Sequence, residues 1–470
     1  MHAQRRWALA LTSVAFFMTA LDALVVATAL PAIHASLGGS VSTLEWTVNA
    51  YTLPFAAGII TGAALGDRLG RRKMYVTGLL VFTLASAACA VAPSSGTLIG
   101  ARAIQGLGAA LVTPLSLTIL AAAFPPQRRG AVVGILGGIG GLAIAGGPLV
   151  GGAVVQGLDW HWIFWLNVPI GIAAALLAAS KLAESRGPAG RLDVPGVVLA
   201  AAAAAVLAWG LVHTTAAGWG STSVLGVLLL AAVLLTAFAL WERRAPEPML
   251  PMALLRIRAF TAANIVGFLS LGSTFSAAFL MSQYFQLGLG YSPLATGLRF
   301  LPWTLTPLLV APPAGALSDR IGRRPLMVAG LALQAAGLGW IALHASATSG
   351  YAGFVLPFIV AGIGVSMVIP TAPAAALSAV PPQDLGRASG VQSTLQRFGS
   401  VVGVAVVTAV FGASGHLGSA AGVVAGFRPG LAASAALSLA GVLAALAAAG
   451  RAPARAPAAQ ATPALLPARR

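Results

Sequence analysis

Long apolar segments alternate with short polar connections along almost the whole chain. About 20 apolar residues in a helix cross the roughly 30 Å hydrocarbon layer of a bilayer. On this basis we predict fourteen transmembrane helices, at 9–30, 46–66, 74–93, 97–122, 130–156, 162–182, 194–213, 221–241, 260–286, 293–316, 325–345, 351–379, 387–412 and 429–450. The pattern therefore indicates an all-α integral membrane protein, because a membrane β-barrel would show short segments of alternating polarity.

The positions of the basic residues test this count. Lysine and arginine are concentrated in the cytoplasmic connections of membrane proteins. With fourteen spans, the basic connections share one side with the basic tail after Gly450, and only Arg428 lies in a connection on the other side. We therefore predict a multi-pass protein of the bacterial cytoplasmic (inner) membrane, with an even number of spans and both termini in the cytoplasm.

A sequence repeat divides the chain into two related halves. The segment LGDRLGRR at 65–72 recurs as LSDRIGRR at 317–324. Parallel repeats of this kind relate the two halves of some transporters, whose binding site lies between the halves. The predicted fold class is therefore two six-helix bundles related by a parallel repeat, plus two inserted helices. The predicted divisions are an N-terminal bundle at 1–186, an inserted pair at 187–245, a C-terminal bundle at 246–452 and a disordered basic cytoplasmic tail at 453–470.

Composition excludes several classes of function. Charged residues make up only 8% of the chain, against about 25% in soluble domains. The net charge of +17 lies in the connections, so we expect the lipid bilayer rather than a nucleic acid as the partner. A single cysteine and the absence of a phosphate-binding loop lead us to expect no metal site, no cofactor and no ATP. We expect no enzyme, but a protein that draws energy from an ion gradient.

One acidic side chain is a candidate proton carrier. Of the ten acidic residues, the predicted spans place only Asp22 well inside the membrane. A charged carboxylate there costs on the order of 3 kcal/mol unless it is protonated or paired. Because burial favours the protonated form, Asp22 is suited to bind and release a proton near neutral pH. The alternative is a structural hydrogen bond between helices.

Arg102 is the candidate partner of Asp22. Arg102 lies near the outer end of the fourth predicted span. Asp22 lies in the outer half of the first predicted span. A guanidinium near Asp22 would favour the ionised carboxylate and so adjust proton release. In the alternative interpretation, Arg102 extends to the lipid headgroups.

The repeated segment predicts a gate at the cytoplasmic side. Aspartate can cap a following helix there, while arginine pairs with a neighbouring helix end. The alternative is a topology anchor with no gating role. The candidate gate residues are Asp67, Arg68, Gly70, Arg71, Arg72, Asp319, Arg320, Arg323 and Arg324.

Uncharged polar and aromatic side chains in the spans predict a mostly apolar cavity for a small amphipathic compound. Each polar member has an alternative role in a hydrogen bond between helices. The candidate cavity residues are Phe16, Asn49, Gln105, Asn264, Gln283, Trp303 and Gln392.

Five segments together resemble motifs of the major facilitator superfamily, and within it of the fourteen-helix drug:proton antiporter group. They are LDALVVATALP at 21–31, GAALGDRLGRRK at 62–73, RAIQGLG at 102–108, the pairs GP and GG within 147–152, and WHWIFWLNVPIG at 160–171. This resemblance implies a proton-coupled antiporter that exports drugs, antibiotics or other small amphipathic compounds by alternating access. A proton symporter that imports a small metabolite with the same fold is the alternative.

The resemblance also implies roles for individual residues. Asp22 and Arg102 are expected in proton coupling, and the residues of the repeat are expected in the cytoplasmic gate. The residues expected in the antiporter motif of the fifth span are Gly147, Pro148, Gly151 and Gly152.

Overall fold

The computed structural model describes residues 2–124, 126–186, 193–217, 221–246, 248, 252–381 and 385–447. Within these ranges the chain forms helices and no strand. The helices are α1 (His2–Leu37), α2 (Val41–Leu69), α3 (Arg71–Ala90), α4 (Ser95–Ala123), α5 (Pro126–Gly157), α6 (Trp162–Trp165), α7 (Asn167–Lys181), α8 (Val194–Ala217), α9 (Thr222–Glu242), α10 (Met252–Leu255), α11 (Arg258–Gln283), α12 (Pro293–Thr304), α13 (Thr306–Ile321), α14 (Arg323–His344), α15 (Ala352–Ser378), α16 (Leu385–Ser414) and α17 (Ala420–Ala447). A π-helical turn, Tyr284–Gly288, extends α11.

The all-helical membrane fold is confirmed. Among the described residues, eleven helices are long and apolar enough to cross a bilayer, and α2 makes twelve when its two segments, bent by 51°, are taken as one span. Helices α5 and α8 occupy the positions of the fifth and seventh predicted spans, but both include residues whose side chains lie outside the described set. The count of fourteen spans therefore stays a prediction, as do the four predicted divisions of the chain. The tail at 453–470 lies outside the described residues.

Helix α2 corrects one prediction from the sequence. The second span was placed at 46–66, which left Glu45 outside the membrane. In the structure α2 begins at Val41, and Glu45 lies inside the helix with a fully buried side chain. Glu45 is therefore a second buried acid on a candidate membrane helix, one turn from the start of that helix.

Local sequence fixes several helix starts and turns. The Ser94 hydroxyl accepts a hydrogen bond from the backbone N–H of Thr97, which caps α4. Gly70 and Gly322, at equivalent points of the repeat, join successive helices with φ angles of 113° and 88°. These left-handed angles favour glycine, so the repeat encodes the same sharp turn twice.

The helices pack as two bundles with different interiors. Helices α1 to α7 form the N-terminal bundle, and α10 to α17 form the C-terminal bundle. The C-terminal core contains an aromatic cluster, in which Trp303 stacks on Phe358 with ring centroids 5.9 Å apart. Phe300 and Phe285 extend this aromatic cluster. In the N-terminal bundle, by contrast, the largest fully buried side chain is the charged side chain of Arg102.

The bundles are joined at one end. We call this the α1–α2 end, after the connection at Gly38, and the opposite end the α2–α3 end. At the α1–α2 end, the Ser282 hydroxyl donates to the carbonyl oxygen of Ala27 at 2.7 Å, and Gln286 Nε2 donates to that of Thr28 at 2.8 Å. A third hydrogen bond between the bundles, from the backbone N–H of Leu294 to Gln156 Oε1 at 3.2 Å, lies at the same end. The conformation is therefore closed at the α1–α2 end.

Glycine permits close backbone contact across the same closed end. A Cβ atom at Gly152 of α5 would lie 2.3 Å from the carbonyl oxygen of Pro293, the first residue of α12. A Cβ atom at Gly297 would lie equally close, at 2.3 Å, to the carbonyl oxygen of Pro148. Both obstacles are backbone atoms, which cannot rotate away. Helices α5 and α12 can therefore touch only because both positions lack a side chain.

We predict that Gly152→Ala opens the α1–α2 end, because the new Cβ atom forces α5 and α12 apart. Spin labels on cysteines introduced at Gly100 and Gly353 in a Cys89→Ser background would report the distance by pulsed electron paramagnetic resonance. Both positions have open space around a Cβ atom and lie near the α1–α2 end, one in each bundle.

The matched control is Gly146→Ala in the same helix, where a Cβ atom meets nothing within 4 Å. Both substitutions raise helix propensity by about 1 kcal/mol, so this effect cancels in the comparison. Equal distance distributions for the two variants would contradict the role of Gly152 in closure.

Candidate functional site

Asp22 lies in the middle of α1 and is completely buried. Its Oδ2 atom accepts a hydrogen bond from Arg102 NH1 at 2.5 Å, and its Oδ1 atom accepts hydrogen bonds from Gln105 Nε2 and Asn167 Nδ2, each at 2.9 Å. The side chains of Asp22 and Arg102 are 0% and 1% exposed. Three donors, one of them positively charged, are thus directed at the two oxygen atoms of this carboxyl group.

Arg102 links Asp22 to a third helix. Its Nε atom donates to the backbone carbonyl oxygen of Thr47 in α2 at 3.2 Å, and its NH1 atom also donates to Gln105 Oε1 at 2.8 Å. The guanidinium carbon lies 4.3 Å from the centre of the Tyr51 ring, a cation–π contact. The structure thus places Arg102 against Asp22 rather than toward a bilayer surface. A role for the pair in proton coupling stays a prediction.

Asn167 brings a fourth helix to the site. It is the first residue of α7, directly after the break that separates α6 from α7 at Leu166. Its Nδ2 atom donates to Ser86 Oγ at 3.1 Å as well as to Asp22. The Ser86 hydroxyl in turn donates to the carbonyl oxygen of Phe164, in α6, at 2.9 Å. The segment at 160–171 is therefore tied to the carboxylate.

A cavity of about 350 Å³ lies beside the ion pair. Its walls are mostly apolar, and Asp22 and Asn167 supply polar groups. The other lining residues, from α1 and from α5 to α7, are Ser13, Val14, Phe17, Met18, Leu21, Val25, Ile139, Leu142, Val150, Ile163, Leu166 and Ile170. The cavity therefore offers one ionisable group within an apolar surface.

The candidate cavity residues do not line this cavity. Gln105 belongs to the hydrogen-bond network of Asp22, and Trp303 belongs to the aromatic cluster. Asn49 Nδ2 donates to Glu45 Oε1 at 3.0 Å, and Asn264 Nδ2 donates to a carbonyl oxygen one turn back in α11. The remaining three, which pack between helices as buried or partly buried side chains, are Phe16, Gln283 and Gln392. The structure therefore separates the seven residues among several helix contacts, and their contact with a substrate stays a prediction.

The first copy of the repeat is held within the N-terminal bundle. Arg71 pairs with Asp67, with NH2 to Oδ1 at 2.7 Å. The Glu184 carboxylate accepts hydrogen bonds from the backbone N–H groups of Arg72 and Lys73, at 2.9 and 3.2 Å. It therefore caps the start of α3, beside Gly70, where a Cβ atom would lie 2.8 Å from the same carboxyl group. Sequence reasoning missed Glu184, because more than a hundred residues separate it from the turn that it caps.

The second copy is likewise held within its own bundle. The Arg323 guanidinium donates to the Ser378 hydroxyl, and Arg324 NH2 donates to the carbonyl oxygen of Leu446 at 2.5 Å. Arg320 is exposed, as is Arg68 in the first copy. The side chain of Asp319 lies outside the described residues. The described partners of both copies belong to the same bundle as the copy itself, so a latch between the bundles stays a prediction.

The predicted antiporter motif packs α5 on α1. A Cβ atom at Gly151 would lie 2.7 Å from the carbonyl oxygen of Val25, and one at Gly147 would lie 2.7 Å from Leu24 Cβ. Gly152 and Pro148 contact α12 of the other bundle across the closed end. The motif therefore lies between the helix that carries Asp22 and the opposite bundle.

Comparison with known proteins supports the family resemblance. The sequence profile of the Major Facilitator Superfamily matches residues 12–241 and 263–469. The tetracenomycin C resistance and export protein of Streptomyces glaucescens is 34% identical over 397 residues, which cover 84% of this chain and 74% of that protein. The cephamycin export protein CmcT of Amycolatopsis lactamdurans is 37% identical over 426 residues, which cover 88% of this chain and 86% of that protein.

Solved structures share the fold. A crystal structure of a POT family transporter in complex with a thioalcohol conjugated peptide aligns with a TM-score of 0.70 over 93% of this chain and 94% of that one, at 17% sequence identity. At this identity the likeness concerns the fold alone. It agrees with a multi-pass membrane protein built from two helical bundles.

We predict that Arg102→Ala destabilises the protein by about 3–5 kcal/mol, because it leaves the buried Asp22 carboxylate without a positive partner. Combining it with Asp22→Asn should recover much of the loss, since the double variant contains no buried unpaired charge. Unfolding temperatures of the two single variants and the double variant, in one detergent, provide the measurement. A double variant no more stable than Arg102→Ala would show that Asp22 is not ionised in this conformation.

Proposed function

The chain belongs to the Major Facilitator Superfamily, and from this we propose that it exports antibiotics or other small amphipathic compounds across the bacterial cytoplasmic membrane in exchange for protons. The observation that carries the proposal is the buried pair of Asp22 and Arg102 beside a largely apolar cavity. An ionisable group inside a membrane span is costly, and such groups mark ion and proton pathways. The names of the relatives, which describe resistance and export, favour efflux over uptake.

The topology that we propose has fourteen spans, with α8 and α9 inserted between the bundles. Both termini and the arginine-rich α2–α3 end would face the cytoplasm, because basic residues are retained on that side. The α1–α2 end would then face outward. Since this conformation is closed there, it corresponds to the state in which substrate loads from the cytoplasm.

The proposed cycle depends on the protonation state of Asp22. In the proposed loading state Asp22 is ionised and paired with Arg102, its proton has left toward the cytoplasm, and substrate can load. After the bundles rock to the outward-open state, a proton from outside neutralises Asp22 and weakens its pairing with Arg102. Substrate leaves, and the protonated protein returns. Each step uses the chain's own residues and the proton gradient, and we propose that neither ATP nor a cofactor takes part.

Several groups of residues have positioning roles in this proposal. Gln105 and Asn167 would hold the Asp22 carboxylate in place, and Thr47 would transmit changes at Arg102 to α2. The arginines of the repeat would hold the helix ends of each bundle during the rocking motion.

We predict that Asp22→Asn abolishes substrate-driven proton release while the protein still inserts into the membrane, since asparagine keeps the size but cannot release a proton. In inverted vesicles with an acidic lumen, export of substrate into the lumen should raise the luminal pH in the wild type. Suitable compounds are an aromatic polyketide antibiotic, a cephamycin and a panel of lipophilic dyes.

The matched control is Asp159→Asn, the same change at an exposed acid whose Oδ1 atom is hydrogen-bonded to its near neighbour His161. It should retain wild-type proton release. Full activity of Asp22→Asn would overturn the proposed coupling. Proton flow in the same direction as the compound would instead establish a symporter.

A further inference from the structure

Glu45 is a second buried carboxyl group, and the role proposed for Asp22 does not use it. It lies in α2, near the closed α1–α2 end, and is 0% exposed. Its Oε1 atom accepts one hydrogen bond, from Asn49 Nδ2 at 3.0 Å. Across the bundle interface, Thr408 of α16 faces the same carboxyl group. We call the contact of these three residues the α2–α16 interface.

The interface contains three polar atoms without a hydrogen-bond partner among the described residues. They are Glu45 Oε2, Asn49 Oδ1 and Thr408 Oγ1. An ionised carboxylate provides acceptors only, whereas a carboxylic acid also donates through its O–H. Asn49 Oδ1 and Thr408 Oγ1 can each accept such a hydrogen bond. With Glu45 ionised, the Thr408 O–H can donate to the carboxylate, but Asn49 Oδ1 stays without a donor, and protonation of Glu45 would supply the missing O–H.

The surroundings offer Glu45 no cation of the kind that neutralises Asp22. No ion pair involves Glu45 in the described portion of the chain. The titratable or charged groups on the helices that pack against this part of α2 are His34 and Asp22 on α1, Cys89 on α3, Arg102 on α4 and Arg397 on α16. On α8 the side chains that the structure describes, up to Gly210, include none, and the side chain of His213, further along α8, lies outside the described set.

Two of these groups are already engaged elsewhere. Arg102 is paired with Asp22. The Arg397 guanidinium lies over the Phe55 ring, 4.5 Å from its centre and more than two helical turns further along α2. An ionised Glu45 would thus be a buried charge with two neutral donors, the Asn49 amide and the Thr408 hydroxyl, and no cation among the described residues, which is strongly unfavourable. The geometry therefore suits the protonated form while the interface is closed.

Opening the α1–α2 end reverses this preference. Helices α2 and α16 belong to different bundles, so their separation brings water to Glu45 and stabilises its ionised form. A ligand that binds one conformation better than another shifts the equilibrium toward that conformation. Here the ligand is a proton, and the favoured conformation is the closed one.

We propose that Glu45 is a second proton-binding site, protonated while the α2–α16 interface is closed and ionised when the α1–α2 end opens. This inference rests on the proposed function, in which the α1–α2 end faces outside. A proton that binds Glu45 from the acidic exterior would then close the external side after substrate has left. Export would be linked to two carboxyl groups with different tasks, Asp22 in loading and Glu45 in closure.

The test measures closure against pH without requiring transport. The full-length protein, in lipid nanodiscs, carries the spin labels at Gly100 and Gly353 in the Cys89→Ser background. When this protein retains Glu45, we expect the fraction of molecules closed at the α1–α2 end to decrease as the pH is raised. Glu45→Gln, which resembles the protonated acid in size and hydrogen bonding, should stay closed over the whole range. Glu45→Asp should keep a pH response.

Two control variants identify the responsible group. His34→Gln removes the other titratable group near this end that has an unpartnered buried atom, and Glu184→Gln makes the same change at the α2–α3 end. Each should retain a pH-dependent closed fraction. A wild-type pH response in Glu45→Gln, or its loss in His34→Gln, would overturn the proposal, as would a closed fraction that does not depend on pH in the wild type.

The vesicle assay separates this result from the proposed function. Suppose that the wild type couples compound export to proton release, but that the closed fraction of Glu45→Gln depends on pH as in the wild type. The proposal of a second proton site is then wrong, and the proposed function stands. If closure depends on Glu45 but no compound moves protons through Asp22, the proposed function is wrong while the proton site stands.

Discussion

The ion pair between Asp22 and Arg102 is the interaction on which the arrangement of the N-terminal bundle depends. A membrane interior has no water to solvate either charge, so each must be neutralised by protein groups. Meeting that requirement brings together α1, α4 and α7 through side chains and α2 through the Thr47 carbonyl oxygen. Any change in the protonation of Asp22 therefore alters hydrogen bonds on four helices at once. A local proton transfer can in this way influence the position of a whole bundle.

The contact between the bundles combines features with opposite tendencies. Glycines on α5 and α12 allow backbones to touch, which favours tight closure. At the same end Glu45 is buried with no described cation beside it, so its ionised form favours opening. Alternating access requires a closed state that is stable but can still open. The balance between these features, rather than one strong bond, sets the stability of the closed state.

The sequence was sufficient to predict the features that follow from the cost of placing a charge in a membrane. Asp22 and Arg102 were recognised because isolated charges in apolar spans need partners, and the turns at Gly70 and Gly322 could be expected from the repeat. Glu45 was missed because its charge made the apolar segment seem to begin one residue later, although α2 begins a full turn before it. Gln105 was assigned to a cavity, since sequence spacing does not show which polar group binds a carboxylate from another helix.

The aromatic cluster of the C-terminal bundle has a consequence for how such proteins diversify. Between residues 252 and 447 the only acidic residues in the sequence are Asp319 and Asp384, and neither belongs to one of the predicted apolar spans. Substitutions among the rings of Phe285, Phe300 and Trp303 can reshape this half without disturbing the buried charges of the other. The two halves can therefore vary independently, the interior of the first under the requirement that buried charges be paired and the interior of the second under the requirement that rings pack.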